Sequence, residues 1–221
     1  MVVRFSLAVC FLILALGVHA QQVAPDAAEN LSAHQVVSSA TERVMAAVSE
    51  AADYVDEDPQ RYYDRVQSIL DPVIDFRGFA RGVMGSYASS ERYRSLDDDG
   101  REQLRAQLDQ FSEVMRIGLV KTYSKGLLAF GGSRIEITEP TPGEDVSSRA
   151  AVQQLIYSDN ATPYVVMYQM GRGKSGQWKL RNMIIESVNL GEIYKNQFQS
   201  AARKHDGDLD IVIANWSTVT E

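Results

Sequence analysis

Hydrophobic and polar positions along the chain change their period once. Val37, Ala40, Val44, Val48, Ala51 and Val55 recur at three- and four-residue steps, which predicts an amphipathic helix over residues 31–55. Asp58-Pro59 supplies an N-cap followed by proline at the first helical position. It opens a second helix with Tyr62, Val66, Ile69 and Leu70 on one side, ending before Pro72. Residues 73–87 are denser, with Val73, Ile74, Phe76, Phe79, Val83, Met84 and Tyr87 interleaved with Gly78, Gly82 and Gly85. These are too many apolar side chains for one narrow stripe. Asp97-Asp98-Asp99 then starts a long helix over residues 100–124, whose buried stripe is Leu104, Leu108, Phe111, Met115, Leu119 and Tyr123.

After Gly126 the period becomes two. Ile135 and Ile137 alternate with Arg134, Glu136 and Thr138, and further strands are predicted over residues 149–157, 162–170 and 177–190. Residues 140–145 read as a turn, and the glycine-rich stretch 171–176 as a hairpin loop. Strands joined by short loops pair antiparallel. The stretch 177–190 organises the rest. Trp178, Leu180, Ile184, Val188 and Leu190 give it one apolar face, which also holds Asn182 and Glu186. The other face begins with Lys179 and Arg181 and turns apolar at Met183 and Ile185. A strand wet at one end and covered at the other reads as the wall of a cavity in a curved sheet. Helix resumes over residues 191–205 with Ile193, Tyr194 and Phe198, and restarts at Gly207-Asp208 through Leu209, Ile211, Val212 and Trp216. Helices, then a meander, then helices predict an α+β fold. Neither a repeat nor a linker divides residues 21–221, which are expected to form one domain.

The first twenty residues carry a different signal. A basic start with Arg4, an apolar run over residues 5–18 and Val18-His19-Ala20 before Gln21 form a secretory signal peptide, with cleavage expected after Ala20. The chain's single cysteine, Cys10, lies inside it. The mature, exported protein would therefore rely on its core and not on disulfides. Loss of Arg4 would move the formal charge from −7 to −8, a poor match to nucleic acid. No later apolar run approaches a membrane-spanning length, so a soluble mature protein is expected.

Motifs that suggest chemistry have plainer explanations. Gly171-Arg172-Gly173-Lys174-Ser175-Gly176 fits a phosphate-loop pattern, but such a loop needs a helix N-terminus after it, and a strand is predicted there. Asp97-Asp98-Asp99 lacks the alternating ligands of a calcium loop and suits a helix cap. His34 and His205 sit among polar neighbours, and no metal site is expected. Asp71 reads as a helix terminator and Asp75 as a cap or surface acid. Asn160-Ala161-Thr162 has the form of a glycosylation sequon. Glu186 is the one acid that would serve a catalytic reading. What remains is apolar mass on elements that face one another: Phe76, Phe79, Met84, Tyr87, Phe111, Met115, Tyr123, Leu128, Tyr164, Val166, Tyr168, Trp178 and Ile184. Periodicity leaves open whether these fill a large core or line an adaptable pocket.

Several segments in order carry a resemblance. These are Asp71-Pro72-Val73-Ile74-Asp75-Phe76, Ala80-Arg81-Gly82-Val83-Met84-Gly85, Phe111 with Tyr123, Trp178-Lys179-Leu180-Arg181-Asn182-Met183-Ile184-Ile185-Glu186, and Tyr194-Lys195-Asn196-Gln197-Phe198. Behind a signal peptide, this arrangement resembles the MlaC (toluene-tolerance) family of periplasmic phospholipid-binding proteins, over residues 36–216. Tyr87 stands where many members have Trp, and Arg181-Asn182 where Tyr-Asp is common. The resemblance implies a highly twisted antiparallel sheet of about four strands, packed with a helical layer and enclosing a deep apolar lipid cavity. It implies a periplasmic carrier with no catalytic activity and no cofactor, its cargo a phospholipid with acyl chains inside and headgroup near solvent. The implied partners are an inner-membrane ABC transporter with a ring of MCE domains and an outer-membrane lipoprotein–porin complex. The expected lipid-binding residues are those of the apolar mass above together with Val73, Ile74, Val83 and Leu180. An enzyme acting on a hydrophobic substrate through Glu186, and an exported adaptor with a filled core, are the competing readings.

Overall fold

The computed structural model describes residues 31–129, 131, 133–140, 147–157 and 162–217. The expected signal peptide with its cleavage site, the turn at 141–145 and Asn160-Ala161 of the sequon lie outside the described residues. Helices α1 (Ala33–Ala51), α2 (Pro59–Leu70), α3 (Phe76–Met84), α4 (Ser90–Ser95) and α5 (Asp98–Leu128) come first. Strands β1 (Arg134–Ile137), β2 (Arg149–Tyr157), β3 (Tyr164–Arg172), β4 (Trp178–Ile185) and β5 (Val188–Asn189) follow, then helices α6 (Leu190–Lys204) and α7 (Leu209–Ala214). This is the α+β order expected from the sequence.

Helix starts are set by side chains that satisfy otherwise unpaired backbone N–H groups. Ser32 and Gln35 form a reciprocal capping box on α1. Asp58 accepts from the Arg61 N–H at 3.2 Å, with Pro59 at the first helical position. Asp75 accepts from the Gly78 N–H at 2.9 Å, and Asp97 from the Gly100 N–H at 2.9 Å. The aspartate run therefore caps α5, as its sequence suggested. Helix α4 is too short to leave a periodic signal and was not anticipated.

The five strands form one antiparallel sheet in the order β1-β2-β3-β4-β5. Two features correct the sequence reading of residues 177–190. First, this is not one strand. Glu186 and Ser187 adopt positive φ angles of 48° and 70°, closing a tight turn between β4 and β5, and α6 begins at Leu190. Second, β4 carries a bulge. Met170 stands opposite Leu180 while Gln169 stands opposite Asn182, so Arg181 is an extra residue. One extra residue reverses the alternation beyond it. Leu180 therefore shares its face with Met183 and Ile185, and Ile184 falls on the opposite face.

The bulge has a visible cause in its partner. The connection between α2 and α3 docks on β4 there. The Leu180 N–H donates to the Val73 carbonyl at 2.9 Å, and the Asp75 N–H donates to the Leu180 carbonyl at 3.0 Å. Lys179 donates to the Pro72 carbonyl, and the Arg181 guanidinium pairs with the Asp75 carboxylate. Arg181 also lies across Gly171, where an added Cβ would stand 3.0 Å from its Cγ. Asn182 donates to the side-chain oxygens of Gln169 and Asn189 at 3.0 and 2.9 Å, and accepts from the Gly191 N–H at 3.0 Å. The polar residues of β4 thus tie the sheet to the starts of α3 and α6.

Three buried clusters result. One joins α3, α5, α6 and α7 around Phe111, Tyr194 and Phe198. A second joins α1, α2 and α5 around Tyr62, Val66 and Ile69. A third packs the start of α1 on the sheet around Val152, Met170 and Trp178.

Candidate functional site

Between the second and third clusters the sheet does not meet the helices fully. An apolar cleft of about 270 Å³ opens between β1–β4, α1, the end of α2 and the end of α5. Its sheet wall is a set of directly opposed residues on one face. Ile135, Ile156 and Tyr164 form one rung, Gln154, Val166 and Ile185 the next, Tyr168 and Met183 the third, and Met170 and Leu180 the last, the latter two rungs continuing to Val152 and Ala150 in the third cluster outside the cleft. Helix α1 contributes Val37, Ala40, Thr41, Val44 and Met45; the opposite side is Leu70, Val73, Ile74, Tyr123, Gly126 and Leu127. Among the described residues, no charged one lines this cleft. Gly126 and Tyr164 are the two exposed members of the lining and mark its mouth, with Tyr164 37% exposed. A smaller space of about 100 Å³ continues from it under α3, with Phe76, Phe79, Leu119 and Leu190 in its walls. The two share Leu70, Ile74, Tyr123, Leu127, Leu180 and Met183.

Few polar groups line the cleft itself, while Ser124, Arg181 and Asn182 stand in the walls of the extension. Thr41 Oγ1 donates to Gln154 Oε1 at 2.9 Å, and Gln154 is only 4% exposed. Burial pushes the Tyr168 hydroxyl up to about 12, offset in part by the Gln154 amide beside it. Burial also raises the Tyr123 hydroxyl, which lies 3.3 Å from that of Tyr194. Both phenols stay protonated at neutral pH and add no charge to the cleft.

The MlaC protein family matches this chain over residues 38–218, most of its length. The chain belongs to the MlaC family. A curated relative, the toluene tolerance protein Ttg2D of Pseudomonas putida, is 27% identical over 184 residues, covering 83% of this chain and 79% of the relative. A solved structure of a phospholipid-binding protein from Ralstonia solanacearum, in complex with a phospholipid, is similar in fold. It superposes with a TM-score of 0.62 at 20% identity, covering 83% of this chain and 98% of the other.

In this MlaC-family chain the expected site residues divide by location. Val73, Ile74, Phe76, Phe79, Tyr123, Tyr164, Val166, Tyr168 and Leu180 line the cleft or its extension. The others are placed elsewhere. Val83, Met84, Phe111 and Met115 are buried in the α3–α5–α6–α7 cluster, with Tyr87 packed on it. Leu128 packs on the α1–α2–α5 cluster, and Trp178 is buried beneath α1. Ile184 is turned off the cleft face by the bulge at Arg181. The helical aromatics leave the cleft because they satisfy one another: Phe111 lies 4.9 Å from the Phe198 ring and 5.1 Å from Trp216, within the range of favourable aromatic pairs. Glu186 is exposed on the β4–β5 turn, where its backbone N–H donates to Val165 and its carboxylate accepts from the Val165 N–H. It lines neither space.

Sequence reasoning missed the α1 contribution and Ile156, Met170, Met183 and Ile185. The signals existed. Val37, Ala40 and Val44 were already on a predicted stripe, and the alternation through Val152, Gln154 and Ile156 marks one face of β2. Only the bulge hid Met183 and Ile185.

Proposed function

We propose that this protein is an exported, periplasmic phospholipid carrier that moves glycerophospholipid between the outer and inner membranes and so maintains outer-membrane lipid asymmetry. The observation that carries this reading is the uncharged cleft walled by paired apolar residues of four strands and closed by α1 and α5. Family membership and the phospholipid complex of the Ralstonia protein support it.

The energetics state what such a carrier must do. Two acyl chains hold roughly thirty methylenes at about 0.8 kcal/mol each, so on the order of 24 kcal/mol opposes their exposure to water. An apolar cleft removes that barrier if its lining approaches the bilayer in hydrophobicity. Transfer to and from membranes is then near thermoneutral, and direction comes from the partners. Those partners are an inner-membrane ABC transporter bearing an MCE-domain ring and an outer-membrane lipoprotein–porin complex. The chain carries its cargo unchanged and needs no cofactor. Among the described residues no helix is long and apolar enough to cross a membrane, and none of the His, Asp and Glu side chains cluster as a metal site.

A transfer assay tests the reading. Donor vesicles containing a fluorescent phospholipid are separated from acceptor vesicles by a membrane that passes protein but not vesicles. Added protein is expected to move label to the acceptors in proportion to its concentration. Transfer no faster than with a non-binding control protein would contradict a carrier role.

A further inference from the structure

Most of the cleft wall is apolar, and Gln154 and Tyr168 are two of its few polar side chains. Gln154 projects from β2 into an apolar wall, with Ile156 and Val152 two residues away on its own strand and Val166 opposite. Its oxygen is occupied by the Thr41 hydroxyl. Its amide N–H groups therefore face Tyr168 and the cleft. The Tyr168 hydroxyl lies beside that amide, and both side chains line the cleft. An amide and a phenol can each donate a hydrogen bond, and the two share the same uncharged space, where a ligand acceptor would meet little competition from water. The Thr41–Gln154 bond that ties α1 to the sheet uses only the amide oxygen.

Their depth is informative. The Gln154–Val166 rung lies two residues inside the Ile156–Tyr164 rung at the mouth, about 7 Å along the strand. A group at that level has passed the exposed Tyr164 edge but has not entered the purely apolar floor at Met170, Leu180 and Met183. In a diacyl lipid with its phosphate in water, the group at this depth is the ester carbonyl, an acceptor with no proton of its own.

Resting on the carrier reading above, we propose that Gln154 and Tyr168 form a polar clasp for an acyl-ester carbonyl, setting how deeply the ligand seats and favouring ester-linked over ether-linked lipid. Thr41 is a positioning residue that fixes the orientation of the Gln154 amide. Tyr168 remains a donor through the neutral range because burial raises its hydroxyl to about 12.

The test uses the full protein, stripped of lipid and incubated with vesicles of equal parts diacyl phosphatidylcholine and its dialkyl ether counterpart of the same chain lengths. The protein is re-isolated, extracted, and the two lipids are quantified by mass spectrometry. Wild type is expected to hold the diester over the diether about five- to tenfold, the worth of one well-made hydrogen bond. Tyr168→Phe removes only the hydroxyl and is expected to bring the ratio close to one. Gln154→Leu is expected to do the same. A wild-type ratio near one overturns the clasp, and so does a ratio that survives in a folded Tyr168→Phe. Uptake of neither lipid by wild type sinks the carrier reading, and the clasp with it; uptake of both in equal amounts sinks the clasp alone.

Discussion

Replacing Val166 with arginine is expected to lower co-purified phospholipid at least about tenfold in a protein that still folds. Val166 is 6% exposed at the centre of the sheet wall, between Gln154 and Ile185. A guanidinium there cannot lie among the strands without losing its hydration. The one open route is along the cleft toward Tyr164, and in taking it the side chain occupies the acyl path and brings water with it. The cost therefore falls on the ligand more than on the fold. Lipid per folded molecule, from extraction and phosphate assay, is the measurement, with circular dichroism reporting the fold. A folded Val166→Arg protein with wild-type lipid content would contradict the placement of the site.

The converse holds for Phe111→Ala. Phe111 is 0% exposed and wedged among Phe198, Trp216 and Met115, away from the cleft. Emptying such a position costs about 3–5 kcal/mol. In a chain of this size each kcal/mol lowers Tm by about 2–4 °C, so thermal unfolding should shift down by about 6–20 °C. Lipid per folded molecule should stay within about twofold of wild type, because no cleft wall is lost. A large fall in lipid content with little change in Tm would mean that the helical aromatics contact ligand. The two variants together separate a lined space from a filled core, which composition alone could not do.

That separation shows where sequence reading stops. Periodicity placed α1, α2, α5 and α6 and three of the strands because each buries one face, and a one-sided face leaves a regular pattern. The caps at Asp58, Asp75 and Asp97 were legible because the chemistry is local. Which apolar faces meet was not. Phe111, Met115, Val83 and Met84 have the same composition as cleft residues, yet they point toward α6 and α7 and pack there. Whether an apolar side chain ends against another or against empty space depends on contacts between elements far apart in the chain. The bulge at Arg181 is the second case. A single unpaired residue flips every later side chain, and its cause, the docking of residues 72–75 on Leu180, lies about a hundred residues upstream. Glu186 was misplaced for a related reason: its positive φ belongs to a turn that a continuous apolar pattern conceals.

The most direct test of the whole account is organic extraction of the protein purified without detergent, followed by mass spectrometry and quantification against protein. The account predicts glycerophospholipid at a near-stoichiometric level, depleted in the Val166→Arg variant. A well-folded preparation that yields no phospholipid, and takes up none from vesicles, would contradict it.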